Sequence, residues 1–405
     1  MRAAVQDVPD VVKPPPGNPR FPLFDSLRAF AALSVLASHT AGLTTFAYVN
    51  DVLGPFTARL NVGVTIFFVI SGFLIYRPFV SARMDGRAAP HLLAYGRRRL
   101  LRIVPAYWVA ITVLAIWPGL VGVFTHQWWV YYGYIQNLHG GWIVTGLSPA
   151  WSLCVEMSFY LVLPFYAIAA ARLLRDRDRF VQARFEYAAL TVLALASVAG
   201  HTATHRWAPG STFHNTLPGT FLWFALGMGL AVASSAWHGR HEREQPRFIR
   251  VVSDHGWLAW AAAFAALVLT TRVGLPTSYP PVYSEWTWFY EYVFFAAIAF
   301  FFVLPAVFGD DRGGLPRRIL AWPPLAWLGL VSYGIFLYHL PLAIKFNEWL
   351  PHSYVLITLT TAVAATACAA ASYYLVEKPL LRFKDPRRRR REPATRAAVQ
   401  PRSAG

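Results

Sequence analysis

The sequence predicts an all-α fold, a polytopic membrane helical bundle, from three observations. Of its 405 residues 56% are hydrophobic and only 14% charged, more apolar surface than one soluble core can use. The apolar residues gather into runs of about 18 to 25, the length a helix needs to cross a hydrocarbon core of about 30 Å. The basic residues are segregated into alternate loops and the two ends.

Ten such runs occur, at roughly 27–46, 60–80, 102–124, 150–171, 186–206, 215–234, 255–272, 286–308, 326–346 and 352–376. The stretch "HQWWVYYGYIQNLHGGW" (126–142) is too broken and polar to be another, and its Trp and Tyr content suits an interfacial segment. With the N-terminus inside, all but four of the 37 Lys and Arg fall on one side, the exceptions being Arg59, Arg206, Arg272 and Lys345. This asymmetry predicts about ten transmembrane helices in the inner (plasma) membrane with both termini cytoplasmic.

Residues 1–22, mixed in charge and Pro-rich, lack the apolar core of a secretory signal and read as a disordered cytoplasmic tail. Residues 23–385 form the transmembrane domain. Residues 386–405 continue "DPRRRRREPATR" as a basic disordered cytoplasmic tail suited to anionic membrane lipids. The formal net charge of +17 is thus mainly an orientation signal. No basic residues interleave with aromatics in a soluble module, which argues against nucleic acid. Cys154 and Cys368, the two cysteines, offer neither a disulfide framework nor metal-ligand spacing, so no metal is expected. Self-association is left open.

The first run carries Arg28 and His39, eleven residues and close to three turns apart. They share one helix face, separated by about 16 Å along the axis. Arg28, at the cytoplasmic mouth, is either a snorkelling anchor or a site residue. His39 lies deep, where an ionisable group marks either a site or an interhelical hydrogen bond. Glu156 enters the fourth run from outside by about 9 Å, and His39 lies about 12 Å below the same surface. A carboxylate at that level could orient the imidazole and raise its basicity. Three further residues are candidate substrate contacts. His339 reaches a similar depth and is a second site residue or a packing histidine. Ser71, beside Gly72, fits close helix packing or a site. Glu291, in "SEWTWFYEY", is a site acid or an interfacial one.

Between the second and third runs, "HLLAYGRRRLLRIVPAYW" holds Arg97, Arg98, Arg99 and Arg102, more charge than orientation requires. Guanidinium forks match phosphates, which suits a phosphorylated donor, and lipid headgroups are the other reading.

Six stretches in order, "FDSLRAFAALSVLASH", "GVTIFFVISGFLIYRPF", "RRRLLRIVPAYW", "WSLCVEMSFYLVLP", "LGLVSYGIFLYHLPL" and "YYLVEKPLLRF", resemble the membrane-bound acyltransferase-3 family of bacterial O-acyltransferases. The resemblance runs from about residue 21 to 385 and is to the short form without a fused esterase-like domain. It implies ten spans and transfer of an acyl group from cytoplasmic acyl-CoA, with acetyl-CoA the expected co-substrate. The acceptor is a hydroxyl-bearing sugar or glycoside: a carbohydrate, glycolipid or glycosylated metabolite. The family's essential Arg and His fall on Arg28 and His39, its Trp-Ser-Leu glutamate on Glu156, its paired arginines on Arg99 and Arg102, and its terminal glutamate on Glu377. After Glu156, where members commonly carry an acidic or polar pair, this chain has Met157 and Ser158.

In the resulting reading His39 is the general base oriented by Glu156, and Arg28 guides the donor's arm from phosphates held by Arg97, Arg98, Arg99 and Arg102. It requires His39 to be reachable from both compartments. The alternative is a transporter or flippase for a lipid-linked or amphipathic solute, with Arg28, His39 and Glu156 as a proton relay. No internal repeat or pair of broken helices points to it. A structural partner in an envelope assembly would leave the inward-facing charges unexplained.

Overall fold

Ten long helices follow the ten apolar runs in the computed structural model, which describes residues 21–208, 210–239, 241, 244–273, 284–309 and 314–383. They are α1 (Leu23–Leu43), α2 (Gly63–Met84), α3 (Leu92–Leu114), α4 (Trp151–Leu173), α5 (Arg179–Trp207), α6 (Leu217–Ala236), α7 (Gly256–Thr270), α8 (Glu285–Val307), α9 (Pro323–Trp349) and α10 (Tyr354–Ser372). Every regular element among the described residues is helical.

Eight of these, α2 to α6 and α8 to α10, are long and apolar enough to cross a membrane, which makes this a multi-pass membrane protein. A ninth is reached only if α7 is joined to Arg247–Asp254, from which it is bent by 94°. The expected ten therefore become eight or nine by length and composition. α1 falls short because Asp25, Arg28 and His39 dilute its apolar content.

Helix boundaries depart from expectation most at α3, which begins ten residues before the expected start at 102. Leu, Ala and Arg are good helix formers, and Tyr95, Arg99 and Arg102 fall on one side of the helix, with Tyr95 buried. The arginine cluster is thereby carried on the helix itself. The stretch 126–142 folds as the short helices Trp128–Tyr132, Gln136–Leu138 and Gly140–Ile143. At the N-terminal end the packed body begins before the expected 23. Phe21 packs edge-on against Phe73 at 4.9 Å, and the Arg77 guanidinium lies 5.0 Å from the Phe21 ring. The rest of the expected tails, 1–20 and 386–405, lies outside the described residues.

α1 is held between α2 and α9, and its buried residues contribute to both hydrophobic clusters of the core. The approach is backbone-close. A Cβ on Gly329 of α9 would meet the Asp25 carbonyl, and one on Gly63 at the start of α2 would meet the Ala31 carbonyl. α2 and α6 cross in the same way, Gly72 against the Phe224 carbonyl and Gly227 against the Val69 carbonyl. Small residues of this kind let helices gain dispersion contacts in lipid, where the hydrophobic effect supplies no driving force between them. Of the expected packing pair, Gly72 makes the close contact and Ser71 makes a hydrogen bond.

Two buried polar groups clamp the periphery. Glu186 of α5 accepts from Tyr166 at 2.6 Å, from Arg83 at 2.5 Å and from Tyr76, tying α5 to α2 and α4. The Arg317 guanidinium donates to the Pro305, Val252, Ser253 and Phe308 carbonyls. Just beyond α2, Asp85 accepts from Arg179 at 2.6 Å and Arg87 at 2.8 Å. Partial burial pushes its carboxyl up, but the Arg87 hydrogen bond, the Arg179 charge and Ser81 outweigh this and hold it below the ordinary range.

Gly329→Val should cost about 3 kcal/mol through overpacking against Asp25, read as a lowered thermal midpoint of the detergent-solubilised protein. Asp85→Asn should cost about 1 kcal/mol near neutral pH. Because the folded-state carboxyl is depressed, that difference is complete above the ordinary carboxylate range and closes as pH falls through the lowered value. Melting both proteins across an acid series checks it.

Candidate active site

α1 presents Arg28 and His39 on one face, as their spacing predicts. His39 Nδ1 lies 2.8 Å from Nε2 of His339 on α9, and the two rings are parallel to within 1°. His339 is fully buried, and its Nδ1 lies 2.8 Å from the Phe336 carbonyl and 3.2 Å from that of Ile335. Carbonyl oxygens only accept, so the neutral His339 ring carries its proton on Nδ1 and offers the Nε2 lone pair. His39 Nδ1 then donates to it, which leaves His39 Nε2 as the unprotonated nitrogen. The second residue at His39's level is thus a hydrogen-bond partner of that ring.

The His39 ring lines a cavity of about 300 Å³. Its walls bring together Asn61, Trp151 at the start of α4, His201 of α5, His214, Trp223 of α6, and Trp288, Glu291 and Tyr292 of α8. Glu291 therefore faces a cavity and not only an interface, whereas Ser71 and His339 are not among its described lining residues. Inside the wall His201 stacks on Tyr292 at 4.1 Å and donates through Nδ1 to the Gly219 carbonyl at 3.1 Å. His214 packs on Trp288 at 4.9 Å. The Asn61 Oδ1 atom is buried and has no hydrogen-bond partner among the described residues. The aromatic wall escaped the sequence reading, although the rule that singled out His39 applied equally to His201 in the apolar run "LALASVAGH".

Glu156 is placed differently from expectation. Its Oε1 accepts from Ser71 Oγ and from Tyr160 OH, each at 2.5 Å, and not from His39. Equal depth left the direction around the helix axis undetermined: Glu156 faces α2 and its own next turn, whereas His39 faces α9. Tyr160 lies with its ring 5.7 Å from the Arg99 guanidinium, so Glu156 is linked through Tyr160 to the arginine cluster.

Two arginines of that cluster gather around Arg28. Arg99 and Arg102 turn inward and, with Asp25, are charged neighbours of Arg28, while Arg97 points outward and Arg98 is half-buried. Arg28 donates to Asp25 Oδ1 at 2.8 Å. Glu377, buried in the turn Tyr373–Glu377 that closes α10, has Arg102 as its charged neighbour, and its Oε1 makes no hydrogen bond among the described residues. Three guanidiniums drawn together repel one another, and their fixed fork geometry suits an anion such as phosphate.

The two centres are separate in this structure. No arginine is among the described residues lining the His39 cavity; on the α1 face between Arg28 and His39, Val35 lines that cavity and Ala32 is buried in the core. Among the described residues no group of three or more His, Cys, Asp and Glu is placed to hold a metal ion, and both cysteines are free thiols.

A family model described as an acyltransferase domain matches residues 22–374. Among curated proteins, the peptidoglycan O-acetyltransferase OatA of Listeria monocytogenes is 24% identical over 84% of this chain and 50% of its own length. Nodulation protein 10 of Rhizobium leguminosarum is 27% identical, covering 89% of this chain and 93% of that protein. The acyltransferase MdmB of Streptomyces mycarofaciens is 24% identical, covering 92% and 95%. The chain spans about half the length of the peptidoglycan relatives it matches. No solved structure matches it.

Proposed function

The chain belongs to the acyltransferase-3 family of membrane enzymes, and on that premise we propose that it is a plasma-membrane O-acyltransferase. It moves an acyl group, acetyl in the simplest case, from cytoplasmic acyl-CoA to a hydroxyl of a carbohydrate, glycolipid or glycosylated metabolite. The single observation that carries this reading is the His39 ring, pinned through Nδ1 by His339 while it lines a cavity with room for an acceptor.

In the proposed reaction an acceptor hydroxyl in the cavity gives its proton to His39 Nε2 as its oxygen attacks the thioester carbonyl. The C–S bond then breaks, and the departing thiolate recovers the proton from the imidazolium. Throughout, His339 accepts the Nδ1–H of His39 and holds the ring's aim, the task an orienting group performs for a catalytic histidine. Arg28, Arg99 and Arg102 hold the donor's phosphates at the basic end, with both flanking tails on the cytoplasmic side. The face of α1 between Arg28 and His39 spans about 16 Å, a length for the donor's extended arm to cover. The packing at Ala32 must open when the donor binds. Glu156 serves the donor side, holding Tyr160 beside Arg99. The names of the peptidoglycan relatives support a sugar hydroxyl as the acceptor.

The test is transfer of labelled acetyl from acetyl-CoA to glycosides by the purified protein reconstituted in vesicles, with release of free thiol measured in parallel. His39→Ala should lower kcat by about 10²- to 10⁴-fold, the usual contribution of a general base, and unchanged turnover would defeat the assignment. His339→Leu should lower kcat by about 10- to 100-fold through misaim of the base with the acceptor KM held, and His339→Gln, which retains an acceptor oxygen, should recover part of it. Removing both Arg99 and Arg102 should raise the KM for acetyl-CoA by about tenfold or more, the scale of lost charge-assisted hydrogen bonds.

A further inference from the structure

His39 handles the proton of the proposed reaction, but the charge that gathers on the thioester oxygen during attack needs hydrogen-bond donors of its own. The His39 ring does not supply them, since its Nδ1–H goes to His339 and its Nε2 carries the proton to the leaving thiol. We propose that the side-chain amide of Asn61 is a donor to that oxyanion and hence a further catalytic residue. The proposal rests on the O-acyltransferase reading and adds to it the group that stabilises the tetrahedral intermediate.

Placement comes first. Asn61 lies in the single turn Arg59–Val62 that leads into α2. At one end of this turn Ser38 Oγ donates to the Ala58 carbonyl at 3.5 Å, and at the other a Cβ on Gly63 would meet Ala31, Ser34 and Val35. The turn therefore runs antiparallel along α1, and Asn61 falls between the two contacts, within about one helical turn of His39. Asn61, Val64 and Thr65 all line the His39 cavity. Spacings of three and four residues mark one helix face, so it is this face that the chain turns to the cavity. Val35 lines the same cavity, and a thioester arriving along the α1 face enters beside Asn61.

The state of the amide points the same way. Asn61 Oδ1 is buried without a hydrogen-bond partner, and the side chain makes no hydrogen bond among the described residues. With its oxygen sealed in the wall, the residue turns Nδ2 and its two N–H donors to the open side. An asparagine kept for packing alone would have that oxygen paired, because a buried unsatisfied acceptor costs stability. Neighbouring polar groups of the wall are already engaged: Trp223 donates to the Tyr292 carbonyl at 3.1 Å, and the Tyr292 hydroxyl lies 2.8 Å from that of Ser197. As the acceptor oxygen attacks, the π electrons of the thioester carbonyl move onto its oxygen, where an Asn61 N–H meets the new charge. No proton leaves Asn61. When the C–S bond breaks, the same electron pair re-forms the carbonyl of the product ester.

Steady-state kinetics of the reconstituted full chain test this, with labelled acetyl-CoA as donor and methyl glucoside or peptidoglycan fragments as acceptors. Asn61→Ala should lower kcat by about 10²- to 10³-fold, the scale of one lost oxyanion donor. Both KM values should hold, because the interaction is made only in the transition state, and the pH dependence of kcat set by His39 should keep its shape. Asn61→Asp preserves the size and an acceptor oxygen but not the donors, and should fall at least as far. Asn61→Asp with near wild-type kcat, or a loss confined to the acceptor KM, assigns Asn61 to acceptor binding and overturns the proposal. Thermal midpoints establish that each variant is folded, and Asn61→Asp decides if Asn61→Ala is not. Wild-type transfer that is indifferent to Asn61 removes this proposal alone. Absence of wild-type transfer to either acceptor removes the O-acyltransferase reading, and the proposal with it.

Discussion

A helix carrying Asp25, Arg28 and His39 stays inside this bundle because its neighbours come to backbone distance. Gly329 lets α9 rest on the Asp25 carbonyl, and Gly63 lets α2 rest on that of Ala31. With α1 fixed at one end by that contact, His39 meets His339 fourteen residues along α1 from Asp25. The ionisable groups that weaken α1 as a membrane-crossing segment are those whose positions the two glycines secure. Loss of either close approach would separate the histidines without touching them.

α1 also arranges charge along its length. Its basic end collects guanidiniums from α3 around Arg28, with Asp25, Glu156 and Glu377 nearby, and its other end opens on a cavity walled by aromatic side chains. In the proposed reaction donor and acceptor approach different ends of one helix. Between the two ends Val35 still lines the cavity, whereas Ala32 is buried in the core.

Much of the fold was legible because each helix announces itself as an apolar run, and the shared face of Arg28 and His39 follows from helical periodicity alone. What periodicity supplies is height and face, one helix at a time. Glu156 and His39 do lie at matching levels by residue count, yet Glu156 turns to Ser71 and His39 to a residue 300 positions away. Only the order in which helices neighbour one another decides that, and no local pattern encodes it. The same limit hid the aromatic wall, whose members come from four separate helices and a connecting turn. Within the arginine run, helical phase separates Arg99 and Arg102 from Arg97. The pairing of Arg99 with Arg102 was legible from that phase, although the helix begins ten residues before the expected start.

The hydrogen-bond chain that begins at His39 ends at the main-chain oxygen of Phe336, and an amide oxygen does not take up a proton as a base at physiological pH. Among the described residues, a proton arriving on His39 therefore has no onward carrier through His339. The histidine pair is consequently a blind alley for charge and cannot short-circuit the membrane potential, which a relay coupled to solute movement would have to exploit. A cell can keep such a base deep in an energised membrane without a leak.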